Sequence, residues 1–511
     1  MSFMNAARLL AFGTAALSSV IEAQAPAATL NTEMDAYVER AVKDWHVAGL
    51  SIAVVKDGRI VFAKGYGVRE LGKPEPVDTA TMFAIASTTK AMTSAALGML
   101  VDEKKVAWDD PVTKYLPTFQ LYDPYATREV TLRDLLTHRA GLGNADYLWD
   151  VADLPTADIM SRVRLVKPAY SMRSSFIYQN VMYMMAGEVV RAASGMTWEK
   201  FVETRLFQPI GMKSAVASLS LVPKGANAAS PHYRYGADTV RVIANTVTQS
   251  VGSAGAIWAP VSDMARWMIF LLDSGKVNGR RLLQPATYAE LFTPQVIVPP
   301  DEFYPTMALT KPHWMTYGLG WFQHDYQGRM LNFHTGSLAG MVAIAGLIPD
   351  ERFGVFVQAN VDHAEVRHAL MYKAIDLYLG NPQRDWSRDL FAIYEARRAR
   401  ADSARRAAEE KRIKGTRPSL ALSKYAGVYE DPLLGRAVVT EQKGKLRIVA
   451  GPSYQGPLEH WQYDTFRVKY DDRWQGSDVI AFTIGDGIAT ELRVSGFTLV
   501  RAPDRKEAES R

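Results

Sequence analysis

The 511-residue chain carries 59 Lys and Arg against 54 Asp and Glu, a formal net charge of +5 that is spread too thinly for a nucleic-acid-binding surface. It contains no cysteine, which excludes disulfides, thiolate metal sites, a lipid-anchored cysteine and a cysteine nucleophile. With 48% hydrophobic residues and 11 tryptophans it can bury a sizeable core, and its length calls for roughly two or three domains.

Residues 1–25 read as a signal peptide. Arg8 precedes a mostly apolar run from Leu9 to Val20, and Ala23-Gln24-Ala25 has the small-x-small form of a cleavage site. The run is too short, and too broken by Gly13, Ser18 and Ser19, to span a bilayer. No later segment is apolar enough to cross one. The expectation is a periplasmic or secreted protein with no integral membrane span.

Asn31 to Trp45 has helical spacing. Ala48 to Val55 and Arg59 to Gly65 read as strands joined by Asp57-Gly58, a strong hairpin signal. Phe83 to Leu100 follows, and from Thr88 its Ala, Leu and Met content predicts a buried helix. Leu132 to Gly143 predicts a short helix ending in a glycine-rich turn. Met182 to Ala193 and Trp198 to Phe207 predict two more helices, the second stopped by Pro209 and Gly211. A helix from Met264 to Ser274 is expected with Ser262 as its N-cap. Strand-like runs come next: Tyr317 to Phe322, Met341 to Ile348 and Gly354 to Gln358. Residues 383–415 turn rich in Ala, Arg, Glu and Lys and read as a charged, solvated connecting helix. After Pro418, short alternating strands predict a small antiparallel barrel or sandwich over residues 416–503. They are Leu446 to Val449, Thr465 to Tyr470, and Val479 to Ile484 paired with Ile488 to Val494.

Within the buried helix, Ser87 stands where the helix begins, near free backbone N–H groups and the positive end of the dipole. Lys90 projects from the same face one turn on. An ammonium held among apolar side chains loses hydration, its pKa falls, and it can serve as a base toward a serine. The same spacing also arises from an N-cap beside a solvated lysine, so other stretches must decide. Tyr178-Gln179-Asn180 is one: a phenol whose ionised form a neighbouring lysine favours can relay the serine proton, and the Asn180 amide can orient a substrate amide. His334-Thr335-Gly336-Ser337 is the other. Gly336 lets a backbone approach closely, and the Ser337 N–H can join the Ser87 N–H as an oxyanion hole.

Ser87-Thr-Thr-Lys90, Tyr178-Gln-Asn180 and His334-Thr-Gly336, in that order, resemble the three motifs of the serine β-lactamase and penicillin-binding-protein superfamily, in its class C-type branch. Leu135 to Leu142, Phe207 to Met212, Ser253 to Ala256 and Tyr317 to Trp321 match as supporting segments, so the resemblance runs over about residues 32–380. Tyr425-Ala-Gly-Val-Tyr429 to Phe497-Thr-Leu-Val-Arg501 resembles the lipocalin-like domain often appended to such hydrolases. The fold so implied is α/β (α+β): an antiparallel sheet flanked by helices, with a helical subdomain, over residues 30–382, then a small antiparallel β-barrel. The activity implied is a serine hydrolase with no metal or cofactor, forming a Ser87 acyl-enzyme on a small-molecule ester, amide or peptide substrate. Ser87, Lys90 and Tyr178 would be catalytic, the Ser87 and Ser337 N–H groups would form the oxyanion hole, and Asn180, His334 and Gly336 would bind substrate. D-Aminopeptidases, D-alanyl-D-alanine carboxypeptidases and esterases of this branch are the models. A catalytically silent sensor or binding protein is the alternative.

Two departures from the family pattern matter. Histidine stands at 334 where β-lactamases carry a carboxylate-binding lysine, so slow β-lactam turnover is expected, and His334→Lys is expected to improve carboxylate recognition. The segment before Tyr178 lacks the Pro-Gly turn common in the family. Asp57, Lys64, Glu188 and His138 read as scaffold, and His363 and His368 have no zinc-like spacing. Oligomeric state is not written in the sequence.

Overall fold

A computed structural model describes residues 27–235, 239–362, 365–380 and 384–503. The expected signal peptide and His363 lie outside the described residues. Eight strands form one antiparallel sheet: β1 (Gly49–Lys56), β2 (Arg59–Gly67), β3 (Val296–Ile297), β4 (Met315–Tyr317), β5 (Phe322–Tyr326), β6 (Arg329–Leu338), β7 (Met341–Ile348) and β8 (Phe353–Ala359). Their spatial order is β2-β1-β8-β7-β6-β5-β4-β3, so the hairpin at the start of the chain pairs with the last strand of the sheet.

Both faces of the sheet are covered, which is why its central strands are apolar without a break. Ile52, Val54, Ile344 and Val357 point to the face packed by α1 (Ala27–Asp44), while Ala53, Val55, Ala345 and Phe356 point to the other. That second face takes α2 (Thr89–Asp102), α3 (Asn180–Ser194) and α4 (Val261–Leu272). Thr89 to Leu100 are all buried, Lys90 and Thr93 included. Each large apolar side chain on α2, such as Met92, Leu97 or Leu100, contributes about 1.5–3 kcal/mol by its burial. Helix α5 (Val366–Leu379) lies on the α1 side, and α6 (Trp386–Glu410) leads to the C-terminal unit. Among the described residues no helix is long and apolar enough to cross a membrane.

The C-terminal unit is a closed antiparallel barrel of eight strands, from Gly427–Asp431 to Phe497–Arg501. Alternate residues such as Leu446, Ile448, Phe466, Val468 and Leu492 fill its interior. The fold class expected from the sequence, a helix-flanked antiparallel sheet followed by a small antiparallel barrel, is the one observed.

Several local expectations change. Tyr317 to Phe322 is not one strand: Gly318–Trp321 turn between β4 and β5, with Gly320 at φ +90° packed onto the Ala91 backbone of α2. Helix α4 starts at Val261 with extended Pro260 in the cap position, so Ser262 is not its N-cap. After Trp198–Phe201 the chain widens into a π turn over Val202–Phe207. The 386–410 helix is not solvated throughout. Trp386 stacks on Tyr372 at 4.6 Å, and Ser387 accepts a hydrogen bond from Trp45 Nε1 at 3.0 Å.

Candidate active site

Ser87 sits in a 3₁₀ turn (Ala86–Thr88) just ahead of α2. Ala86 holds φ +46°, a left-handed conformation a non-glycine residue adopts at a cost, and it turns the chain sharply into the helix. Thr88 Oγ1 donates to the Ile85 carbonyl at 2.8 Å and stiffens that turn.

Lys90, completely buried, donates to Ser87 Oγ at 2.9 Å, Asn180 Oδ1 at 2.6 Å and the Ala254 carbonyl at 2.9 Å. Burial pulls its pKa down to about 7, and the Asp146 carboxylate acts in the opposite sense. The three acceptors fix the nitrogen's direction. The ammonium also lies over the faces of the Tyr178 and Tyr183 rings, 4.7 and 5.4 Å from their centres.

Tyr178 is partly buried, with its hydroxyl enclosed, among His138, Phe322 and His334, whose ring centres lie 4.5, 6.4 and 6.0 Å away. Its hydroxyl has no hydrogen-bond partner among the described residues. Burial drives the phenol well above its ordinary value of 10, while the nearby Ser87 hydroxyl favours ionisation without reaching hydrogen-bond geometry. A neighbouring lysine is expected to favour a phenolate, but here desolvation outweighs it, because Lys90 meets the ring face and not the oxygen.

Asn180 opens α3, and both ends of its amide are taken: Oδ1 by Lys90, and Nδ2, which donates to Asp146 Oδ2 at 2.9 Å. It orients Lys90 in this structure. His334 is 1% exposed. Its Nδ1–H faces the Thr335 carbonyl at 2.6 Å, which leaves Nε2 to accept from the Tyr317 hydroxyl at 2.9 Å. Tyr317 in turn lies 3.3 Å from His138 Nε2, and His138 Nδ1 accepts the Gln179 N–H at 3.0 Å. Both imidazoles are thereby held neutral. Burial and the Lys90 charge pull His334 down to about 3 and His138 well below 6.5.

Strand β5 pairs with β6 only as far as Phe333, so His334 to Leu338 form an open edge beside Ser87. A two-residue turn joins Leu338 to Met341, and the alternation of the antiparallel ladder then points the Ser337 N–H at that edge. A side-chain carbon on Gly336 would collide with the Ile85 carbonyl and sit 3.0 Å from Ala86 Cβ; glycine lets β6 lie against the Ser87 turn. Arg367 of α5 donates to the Gly336 carbonyl, to Ser337 Oγ at 2.9 Å and to the Ala343 carbonyl at 3.2 Å.

Two cavities adjoin Ser337. One, of about 460 Å³, is bounded by Asp146 and Trp149 on one side and by Ser453, Trp474 and Gln475 of the barrel on the other. The second, of about 1140 Å³, extends between α6 and barrel residue Arg473. Ser87, Lys90, Tyr178, Asn180, His334 and Gly336 thus converge, with His334 turned inward. Asp146, His138, Tyr317 and Arg367 complete the cluster and were missed or read as scaffold. His138 lies within a supporting segment, but nothing in the sequence marks Arg367 or Asp146.

Residues 34–380 match the family model described as Beta-lactamase, and residues 411–508 match a domain of unknown function, DUF3471. An unguisins hydrolase of Aspergillus violaceofuscus is 28% identical over 78% of this chain and 75% of its own length. Protein flp of Staphylococcus aureus is 23% identical over 65% of this chain and 63% of its own. Among solved structures, an octameric penicillin-binding-protein homologue from Pyrococcus abyssi superposes with a TM-score of 0.60. It is 22% identical, and the match covers 92% of this chain and 99% of that one. SurE follows at a TM-score of 0.57 and 19% identity, over 93% and 100% of the two chains. The chain belongs to the beta-lactamase family.

Proposed function

We propose that the protein is a serine hydrolase that acts through a Ser87 acyl-enzyme on ester, amide or peptide carbonyls, in the manner of D-aminopeptidases, carboxypeptidases or esterases. The observation that carries this is the 2.9 Å contact between a buried lysine, poised near neutrality, and the Ser87 hydroxyl. Neutral Lys90 accepts the Ser87 proton as Oγ attacks the carbonyl carbon. The oxyanion forms toward the Ser87 and Ser337 N–H groups, which stabilise charge only as it develops. On collapse, the proton passes from Lys90, with Tyr178 beside it, to the leaving alkoxide or amine. Water then adds to the acyl-enzyme by the same route in reverse.

Substrate preference rests on His334. A neutral, inward-facing imidazole offers no permanent charge to a substrate carboxylate, which argues for weak β-lactamase activity. The relative named as a hydrolase supports hydrolytic chemistry. A fluorophosphonate probe is expected to label Ser87, and turnover of p-nitrophenyl acetate or butyrate is expected to vanish in Ser87→Ala. Labelling elsewhere, or a fully active Ser87→Ala protein, contradicts the Ser87 assignment; a folded parent that neither labels nor turns over either ester restores the silent sensor.

A further inference from the structure

The C-terminal barrel meets the hydrolase unit along the segment from Asp146 to Arg162. The Tyr147 ring packs on Phe497 of the last barrel strand, with ring centres 4.9 Å apart. Asp150 Oδ2 accepts the Tyr454 hydroxyl at 2.7 Å. The Val151 carbonyl presses on Gly451 so closely that a side-chain carbon there would collide with it. Arg162 Nη1 donates to the Leu433 carbonyl at 3.1 Å. Tyr147 and Val151 also help to close an apolar cavity of about 160 Å³ inside the barrel, as a plug closes a socket.

The residue at the head of this segment reaches the candidate active site. Asp146 Oδ2 accepts from Asn180 Nδ2 at 2.9 Å, and Asn180 Oδ1 accepts from Lys90 at 2.6 Å. Its other oxygen accepts Trp149 Nε1 at 2.9 Å, which locks the carboxylate within its own turn.

We infer that Asp146 is a positioning residue for Lys90, acting through Asn180, and that the C-terminal barrel works as part of the hydrolase by clamping the segment that carries it. The inference rests on the reading of Ser87 and Lys90 given above. An asparagine amide can flip about its side-chain bond, and an acceptor that holds its nitrogen reinforces the orientation that keeps its oxygen toward Lys90. Asp146 is that acceptor. It is also the carboxylate that favours the protonated form of Lys90, against burial. The other groups facing Lys90 are the Ser87 hydroxyl, the Ala254 carbonyl and the neutral side chains of Tyr178 and Tyr183, with the neutral imidazoles of His138 and His334 behind them. None of these carries a compensating negative charge.

The test uses the full chain and two readouts. The first is hydrogen exchange of residues 144–151; the second is the pH profile of Ser87 labelling by a fluorophosphonate. Two barrel variants loosen the clamp without touching the site: Tyr454→Phe removes the bond to Asp150, and Gly451→Ala forces Val151 away. Both are expected to exchange faster at 144–151, Tyr454→Phe at a little-changed melting temperature and Gly451→Ala at one lowered by a few degrees, and to label about ten- to a hundred-fold more slowly. Asp146→Asn keeps a hydrogen-bonding side chain but removes the charge, and is expected to move the acid limb of the profile to lower pH by on the order of one unit. Exchange equal to the parent in both barrel variants overturns the clamp. Faster exchange with unchanged labelling, or an unmoved limb in Asp146→Asn, overturns the positioning role. A parent protein that does not label at Ser87 overturns the hydrolase reading instead, and the exchange result still decides whether the clamp exists.

Discussion

The Lys90 nitrogen lies 4.7 Å from the centre of the Tyr178 ring, over its face and away from its hydroxyl. A cation there is attracted to the ring, yet gives the phenol oxygen no hydrogen bond with which to hold a proton-free state. The pair therefore divides the work: the lysine is the group that titrates near neutrality, and the tyrosine stays protonated.

The acylation rate is expected to rise with pH through about 7 and to level off above it, because only neutral Lys90 can take the Ser87 proton. The same depressed pKa has a stability consequence. The unfolded lysine keeps its proton up to about 10.4, while the folded one releases it near 7, so folding is penalised fully below pH 7 and progressively less above it. At about 1.4 kcal/mol per unit, the penalty is on the order of a few kcal/mol at pH 6. Lys90→Met is expected to be inactive and to melt several degrees higher than the parent at pH 6, with the gap narrowing by pH 9. A gap that widens with pH refutes the sign.

Tyr178→Phe removes a buried hydroxyl that has no partner among the described residues. Unsatisfied buried polar atoms cost about 1–3 kcal/mol, so the variant is expected to be at least as stable as the parent in urea unfolding. Its acylation rate is expected to fall about 10²–10⁴-fold through loss of proton relay. An active Tyr178→Phe protein would take the tyrosine out of the mechanism.

The sequence reading expects His334→Lys to improve carboxylate recognition; the structure predicts a different effect. The imidazole is enclosed between Tyr317 and the Thr335 carbonyl and already feels the Lys90 charge. A second ammonium there is expected to lower the melting temperature by several degrees and to push the Lys90 limb to lower pH. Faster turnover of nitrocefin with neither effect would mean that the new side chain reaches the cleft.

Gly336→Ala places a carbon against the Ile85 carbonyl and Ala86 Cβ, where neither backbone can yield without moving Ser87. A loss of about 1–3 kcal/mol in stability is expected, as for other overpacked sites, together with near-complete loss of fluorophosphonate labelling. Normal labelling would separate β6 from the oxyanion site.

The order Ser87-Lys90, Tyr178-Asn180, His334-Gly336 was legible because each motif is local, Ser87-Lys90 and Tyr178-Asn180 at the starts of helices and His334-Gly336 within strand β6. Helix α2 and strands β1, β7 and β8 follow from apolar periodicity. What escaped was whatever depends on which way a side chain turns in three dimensions. A histidine beside an open strand edge reads as substrate-facing until Tyr317, two strands away in the same sheet, is seen to hold it inward. The turn at Gly318–Trp321 reads as strand because tyrosine and tryptophan are good strand formers, whereas Gly320 is needed for close approach to α2. Asp146 and Arg367 bear no local signature at all; each matters only through the partner it meets.

The contact between Asp150 and Tyr454 joins positions 304 apart, and Tyr147 meets Phe497 on the strand that closes the barrel. On the ribosome, the nucleophile helix emerges long before the residues that seat its support. Pairings this distant along the chain form late and slowly. A nascent hydrolase unit would thus hold Ser87 and Lys90 yet lack the brace behind them until the strand Phe497–Arg501 has joined the barrel, so that full reactivity waits for the barrel to close.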